Sequence, residues 1–422
     1  MRTIISVDPN GKPLAQPHMH TRWHPDIPPV ATVNVGEAFK VECMDFSGNS
    51  ISNDDCADDV LDYCWDQDHH LSGPIRIEGA QAGDLLHVEI MDVQPFPERP
   101  WGFSMIEPGA GPLDKNHTRV AKAIWDFEGA ITSSRHIKGV SFQGRPHCGE
   151  IGTAPSAALL ESWTDREKAL NHRFRSHGAI CANEPSKRGA YVGQELPSDL
   201  AQKIRLHGAR TTPARENGGN IDSGTLTSGA SIYLPIYVDG ANLSVGDLHF
   251  SIGDGEPTCA IEMAGIMTIK CHIIAAGMDT LGFTAPVVIP SVVDHFYQAR
   301  LAFHGLSVSD QGMQHLSNPM TGYIQAASAA MKYLQRFGYS HEQAYILMAC
   351  APIECRLLAT PNIPTANVSV ALPLGIFNAD LRPSSTNPVV HDYGSVAYLS
   401  EEREKLHNTR HPGPPSPFCL EA

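Results

Sequence analysis

Glycine and proline punctuate this chain too often for long helices. It carries 36 Gly and 32 Pro in 422 residues, about 16% against a usual ~12%. Proline cannot donate to a hydrogen-bond ladder, and glycine costs backbone entropy inside a regular element. The stretches between these breaks are short and rich in β-branched residues. Examples are FKVECMDF (39–46), LLHVEIMDV (85–93), SIYLPIYV (231–238) and MTIKCHII (267–274). Leu86, Val88 and Ile90 alternate with His87, Glu89 and Met91, the period of a half-buried strand. A strand-rich α+β protein follows, mainly β.

Helical periodicity appears in four places. Leu159, Leu160, Trp163 and Leu170 form one stripe after Ser156. Thr321 is placed to cap a helix ending at Gly338. Ser340 and Gln343 have capping-box spacing, and Pro352 closes that helix. The last two read as a helical hairpin laid on the β core, and SVAYLSEEREKLHN as a charged surface helix. At this length one core is too small, since single cores stop growing near roughly 250–300 residues. The expected division is a β-rich unit over 1–135, a second β-rich unit over 136–310 with most of the site motifs, a helical hairpin and strand over 311–380, and a tail over 381–422.

Composition narrows the partners. The net charge is −15, which repels phosphate backbones and argues against nucleic acid. No apolar run approaches the ~18–20 residues of a membrane span. The N-terminus lacks the apolar core of a secretory signal. Ten scattered Cys without a CxxC pair read as reduced thiols in a cytosol.

The 21 His are a surplus in a charge-poor chain, and five segments could use them. GDLHFSIGDGEPTCAIE (246–262) holds Asp247, His249, Asp254, Glu256 and Glu262. Asp247 and His249 are two apart on an expected strand and share a face. This is either a metal or acid–base site or a polar hairpin whose DG is only a turn. ENGGNIDSG (216–224) offers Gly219, Asn220 and Asp222 for close backbone approach to a ligand, or an ordinary Asx turn. RPHCGEIGTAPS (145–156) sets Cys148 beside His147, although a buried inert thiol is the simpler reading. SNDDCADDVLDYCWDQDHH (52–70) has seven Asp and ends in His69-His70. It lacks the glycine and terminal glutamate of a calcium loop and reads as a solvated acidic face, with Asn53, Asp54 and Asp55 able to reach a site elsewhere. His18, His20 and His24 read as surface histidines of a proline-rich arm. GxGxxG, P-loop, GxSxG and HExxH signatures are absent.

Long ordered segments resemble one family together. RWHPDIPPVATV, LSGPIRIEGAQAGDLLHVEI, AIWDFEGAITSSRHI, HCGEIGTAPSAALLESW, ARENGGNIDSG, LPIYVDGANLSVGDLHFSIGDGE and FGYSHEQAYILM look like formamidases of the acetamidase/formamidase family. The resemblance spans about residues 1 to 380. It implies a β-sandwich or barrel core and a cytoplasmic homo-oligomer, with no nucleic-acid or membrane partner. It implies hydrolysis of a short aliphatic amide, formamide before acetamide, by water on a divalent metal, zinc being the expected ion. Carried over by motif, Glu256, Asp254 and Glu262 are the expected catalytic acids. Asn220 and His147 are expected to bind substrate, with Gly219 beside them. His249, Asp222, Asp254 and His147 are the expected metal ligands. The chain departs from the family pattern at Cys148, at Glu150 (usually apolar), at Ile252 (usually Gln), in the shorter Glu256–Glu262 link, and over 104–117. Two other readings of the residues stand beside this one: a non-catalytic β-rich binder of small ligands, and a thiol amidase using Cys148.

Overall fold

The computed structural model describes residues 1–11, 16–109, 111–114, 118–174, 185, 187–292 and 299–410. The expected tail segment after residue 410 and the 115–117 part of the 104–117 departure lie outside the described residues. Two sheets dominate. The first has six strands in the order Arg2–Ile5, Ala38–Cys43, Gly265–Ile274, Leu85–Pro95, Ser231–Pro235 and Val287–Ile289. Its long central pair runs antiparallel from Leu85 opposite Ile274 to Pro95 opposite Gly265. The second has twelve strands. Its path is Ile137–Gln143, Ile131–Ser134, Ala121–Glu128, Trp101–Ile106, Ile261–Met263, Leu243–Ser251, His147–Gly152 and Gly218–Asn220. Leu71–Ile77 also pairs with Leu243–Ser251.

The alternation read from sequence is what closes the sandwich. Phe39, Val41, Leu86, Val88 and Ile90 of the first sheet share one buried cluster with Trp125, Ile151, Val245, Leu248 and Phe250 of the second. Both sheets mix strands from before and after residue 135, so neither sheet is confined to one of the two expected β-rich units. A third, three-stranded sheet of Arg300–Leu306, Asn367–Pro373 and Glu354–Ala359 carries the helical hairpin.

The helices follow the sequence signals with one correction. Ser340 and Gln343 form the reciprocal capping box of His341–Cys350. The preceding helix, Pro319–Arg336, starts three residues earlier than expected: Asn318 is its cap, accepting from the N–H groups of Met320 and Thr321, and Pro319 takes the first turn. Proline fits there because that N–H would be unpaired in any case. Ala157–Phe174 and Glu401–Arg410 are also helical. Among the described residues no helix is long and apolar enough to cross a membrane, and the eight described cysteines are free.

One surface expectation is overturned and a second holds only in part. The N-terminal arm is not exposed: His20, Arg22, Trp23 and His24 are all buried. His20 Nδ1 meets the Arg22 carbonyl at 2.8 Å and Nε2 meets Ser244 Oγ at 2.8 Å. The acidic run over 52–70 is a solvated face only in part: residues 52–55 and Asp62 are exposed, and 68–70 are buried. Asp54 and Asp59 neutralise the fully buried Lys122 at 2.9 and 2.7 Å, and Asp66 pairs with Arg188 and Arg210. These residues are fixed as counter-ions of cations far away in sequence.

Burial drives the His20 pKa down to about 4, so the folded protein holds this ring neutral. The unfolded chain protonates it from about pH 6.5 downward. Its contribution is therefore complete above pH 6.5 and lost as pH falls toward 4, by roughly 3 kcal/mol. Urea titrations between pH 7 and 4 should show a shallower fall in stability for His20→Gln than for the wild type. Ser340→Ala should cost about 1 kcal/mol at any pH through loss of the cap, read in the same titrations.

Candidate functional site

Three neighbouring strands set the site. His249 lies opposite His147 on one side and opposite Glu262 on the other. Directly opposed residues of antiparallel strands bring their side chains close on one face. The register therefore aligns His147, His249 and Glu262 across the sheet. The central strand, Leu243–Ser251, is buried along its whole length, with its inner face in the core and its outer face on the site. Its alternation slips at Asp247, where φ is +51°. Leu243 and Val245 before the slip and Leu248 and Phe250 after it all reach the core. This left-handed residue leaves Asp247 and His249 together on the outer face, while the register with His147–Gly152 continues unshifted.

A chain of contacts runs along that row. His147 Nδ1 lies 2.8 Å from the Arg145 carbonyl, which can only accept. His147 Nε2 is left to accept from His249 Nδ1 at 3.2 Å. His249 Nε2 then faces Glu262 Oε2 at 3.1 Å and Asp247 Oδ1 at 3.4 Å. Burial alone would lower the His249 pKa, but Glu262 and Asp247 raise it well above the imidazole range. Burial, and then the charge of His249, hold His147 well below that range and so neutral.

The row opens onto a cavity of about 310 Å³, lined among others by Asn220, Asp222, Asp247, Glu256 and Glu262. Its acids are forced together. Burial and then Asp247 push Asp222 up to about 8. Burial, with Asp247 beside it, pushes Glu262 up to about 7. Burial and then Asp222 raise Glu256 well above the carboxylate range. Burial would raise Asp247 too, but His249 and His69 hold it below that range. Asp222 and Glu256 adopt left-handed backbone, as Asp247 does, with φ of +48° and +29°. Such conformations cost about 1–3 kcal/mol each and collect at functional sites.

The donor set suits a divalent cation. Ligand atoms of Asp222, Asp247 and His249 converge within 4.8 Å, as do those of His249, Glu256 and Glu262. Asp222 Oδ1 is buried without a hydrogen-bond partner. His147 fixes the Nδ1–H tautomer of His249 and leaves Nε2 for an ion, the usual outer-shell arrangement.

Of the residues expected from sequence, the structure brings Glu256, Glu262, Asn220, Asp222 and His249 to this place. It does not bring Asp254, whose carboxylate instead accepts the Cys355 N–H at 3.0 Å and ties the hairpin to the third sheet. His147 stands behind His249 with both ring nitrogens engaged, and it belongs to neither set of converging ligand atoms. Gly219 pairs with Ile151 at the sheet edge, away from the cavity lining. Cys148 points into the inter-sheet core. Its thiol donates to the Glu150 carbonyl at 3.1 Å, and burial raises its pKa well above the thiol range, so it is not a nucleophile for this cavity.

Asp68, His69, Phe46, Trp65 and Cys259 also line the cavity, and no motif reading selected them. His69 Nδ1 lies 2.8 Å from Glu150 Oε2. The signal available was the Asp68-His69-His70 ending of the acidic run. Asn53, Asp54 and Asp55, named from that run instead, do not reach the cavity.

Comparison with known proteins identifies the family. The sequence profile of the Acetamidase/Formamidase family matches residues 6–379. The chain belongs to the acetamidase/formamidase family. It is 44% identical over 407 residues to a putative formamidase of Schizosaccharomyces pombe, covering 94% of this chain and 99% of that protein. It is 42% identical over 396 residues to a formamidase of Methylophilus methylotrophus, covering 92% and 97%. Among solved structures, a gamma lactamase from Delftia acidovorans superposes with a TM-score of 0.91 at 40% identity, over 95% of this chain and all of that one. This protein is thus a hydrolase of amide C–N bonds.

Gly149 packs against the row. A Cβ there would sit 2.6 Å from the Asp247 carbonyl oxygen and 2.7 Å from His249 Cε1. Gly149→Ala should displace both side chains and lower kcat about 100-fold, with the melting temperature reporting that the fold survives.

Proposed function

We propose that this protein hydrolyses a short aliphatic amide, formamide first and acetamide next, to the carboxylate and ammonia. The supporting observation is the cluster of four acids, Asp247 and Glu262 buried and Asp222 and Glu256 half-buried, with the buried His249 at the wall of a small cavity. Amide resonance makes the carbonyl carbon a poor electrophile, so the site must supply both polarisation and a nucleophile. Zinc is the ion proposed, held by His249 with Asp222 and Asp247. When bound, a divalent ion supplies carbonyl polarisation and a water of lowered pKa.

The chain's own residues divide the remaining work. Glu256 Oε1 accepts the Ala260 N–H at 3.1 Å, which holds the carboxyl group at the cavity wall. Glu256 takes the proton of the attacking water and returns it to the leaving nitrogen, since ammonia departs only after protonation. Glu262, paired to His249, keeps that ring in place. Asn220 Oδ1 is buried and without a partner, and accepts an N–H of the substrate amide. A cyclic amide is the second reading, favoured by the likeness to the gamma lactamase and by a cavity with Phe46 and Trp65 on its wall. A cytosolic homo-oligomer is part of the same proposal, with the free thiols in its support.

Ammonia release from formamide, acetamide and propionamide, and ring opening of a γ-lactam to its amino acid, rank the substrates. Glu256→Gln should lower kcat about 10²–10⁴-fold; wild-type turnover in that variant would remove Glu256 from the mechanism. Chelation should abolish activity and added zinc restore it, with elemental analysis of the purified protein as the check. Full activity in metal-free protein would overturn the metal half.

A further inference from the structure

A hydrolysis that puts negative charge on the substrate oxygen needs a positive group near it. This cavity is poor in them. Asp68, Glu107, Asp222, Asp247, Glu256 and Glu262 all line it, and His69 is the one basic side chain among the described lining residues. It also stands apart from both sets of converging ligand atoms.

His69 is held from several sides. Its backbone N–H donates to Thr211 Oγ1. Its ring meets Phe46 edge-on, with centroids 6.0 Å apart. Its Nδ1 lies 2.8 Å from Glu150 Oε2, so Nε2 is the nitrogen left to the cavity. Glu150 is fully buried. It is placed by strand register, opposite Asn220 on one side and Gly246 on the other. A buried carboxylate is costly unless paired, and the pairing with His69 offsets that cost. Burial would lower the ring's pKa, but the charges of Asp247 and then Glu150 outweigh it and favour the imidazolium form.

We propose that His69 is a catalytic residue whose Nε2–H donates to the substrate carbonyl oxygen as negative charge develops there, and that Glu150 is the positioning residue that orients it. This rests on the amide-hydrolysis reading. Preorganised donors of this kind act on the transition state more than on the bound substrate. The effect should therefore fall on kcat rather than KM.

The test uses the full-length protein with formamide, acetamide and propionamide. His69→Ala should lower kcat about 10²–10³-fold and leave KM within about threefold. Added imidazole should recover part of the activity in His69→Ala and leave Glu150→Gln unaffected. Glu150→Gln should lower kcat about tenfold with KM unchanged, because the amide still accepts from Nδ1 but carries no charge. Metal content and the melting temperature should match the wild type in both variants. Turnover of His69→Ala within threefold of wild type would overturn the proposal. So would loss of bound metal in step with activity, which would make His69 a ligand.

Calorimetric binding of acetate gives a readout that does not depend on turnover. Acetate should bind the wild type at least about tenfold more tightly than His69→Ala, since His69 is the cationic partner for an anion in this cavity. Equal binding overturns the role of His69 even if the amide reading holds. If the wild type releases ammonia from none of the amides, the amide reading fails separately, and the acetate comparison still decides whether His69 stabilises an anion there.

Discussion

Everything at this site depends on keeping carboxyl groups together out of water. Four acids around one imidazole would cost roughly several kcal/mol each if left charged and unpaired. The protein meets this with partial protonation, with the imidazole of His249, and with a donor geometry that suits a cation. The raised pKa values of Asp222 and Glu262 and the depressed one of Asp247 are two faces of one constraint. Burial penalises charge, and a neighbouring imidazolium selects which carboxyl keeps it.

The sandwich makes that crowding possible. Leu243–Ser251 is hydrogen-bonded on both sides and buried on both faces, so its side chains have little freedom. Strand register then decides which residues meet. His147, His249 and Glu262 come from segments more than a hundred residues apart at the extremes, yet occupy one row because their strands are neighbours. A one-residue slip would turn them into the core. The left-handed backbone at Asp247 meets the opposite demand: it turns an acid onto the row while Leu248 stays in the core.

Much of the fold was legible from local pattern. Alternation located the Leu85–Pro95 and Gly265–Ile274 strands, and capping chemistry located His341–Cys350, because both signals depend on residues within one or two turns of each other. The Thr321 cap was misplaced because Asn318 and Pro319 offer a better start, and sequence alone ranks adjacent caps poorly. The buried N-terminal arm was read as surface because His20 owes its burial to Ser244, over two hundred residues away. The acidic run is exposed over 52–55 and buried toward His70, and no local signal in it shows Lys122 and Arg210 as its partners.

For the site, the sequence by itself determined the residue types and the motif that carries His249, Glu256 and Glu262, since these follow from composition, spacing and family likeness. It also determined that the chain would form short, half-buried strands. Only the tertiary structure decided which acids reach the cavity. Asp254 and Glu256 are two residues apart, yet one braces the third sheet and the other lines the cavity, because the turn between them sends their side chains different ways. His69 and Glu150 became a pair only when strand register set Glu150 beside the end of the acidic run. Such contacts join distant segments, and a linear sequence carries no local signal of where those segments will be packed.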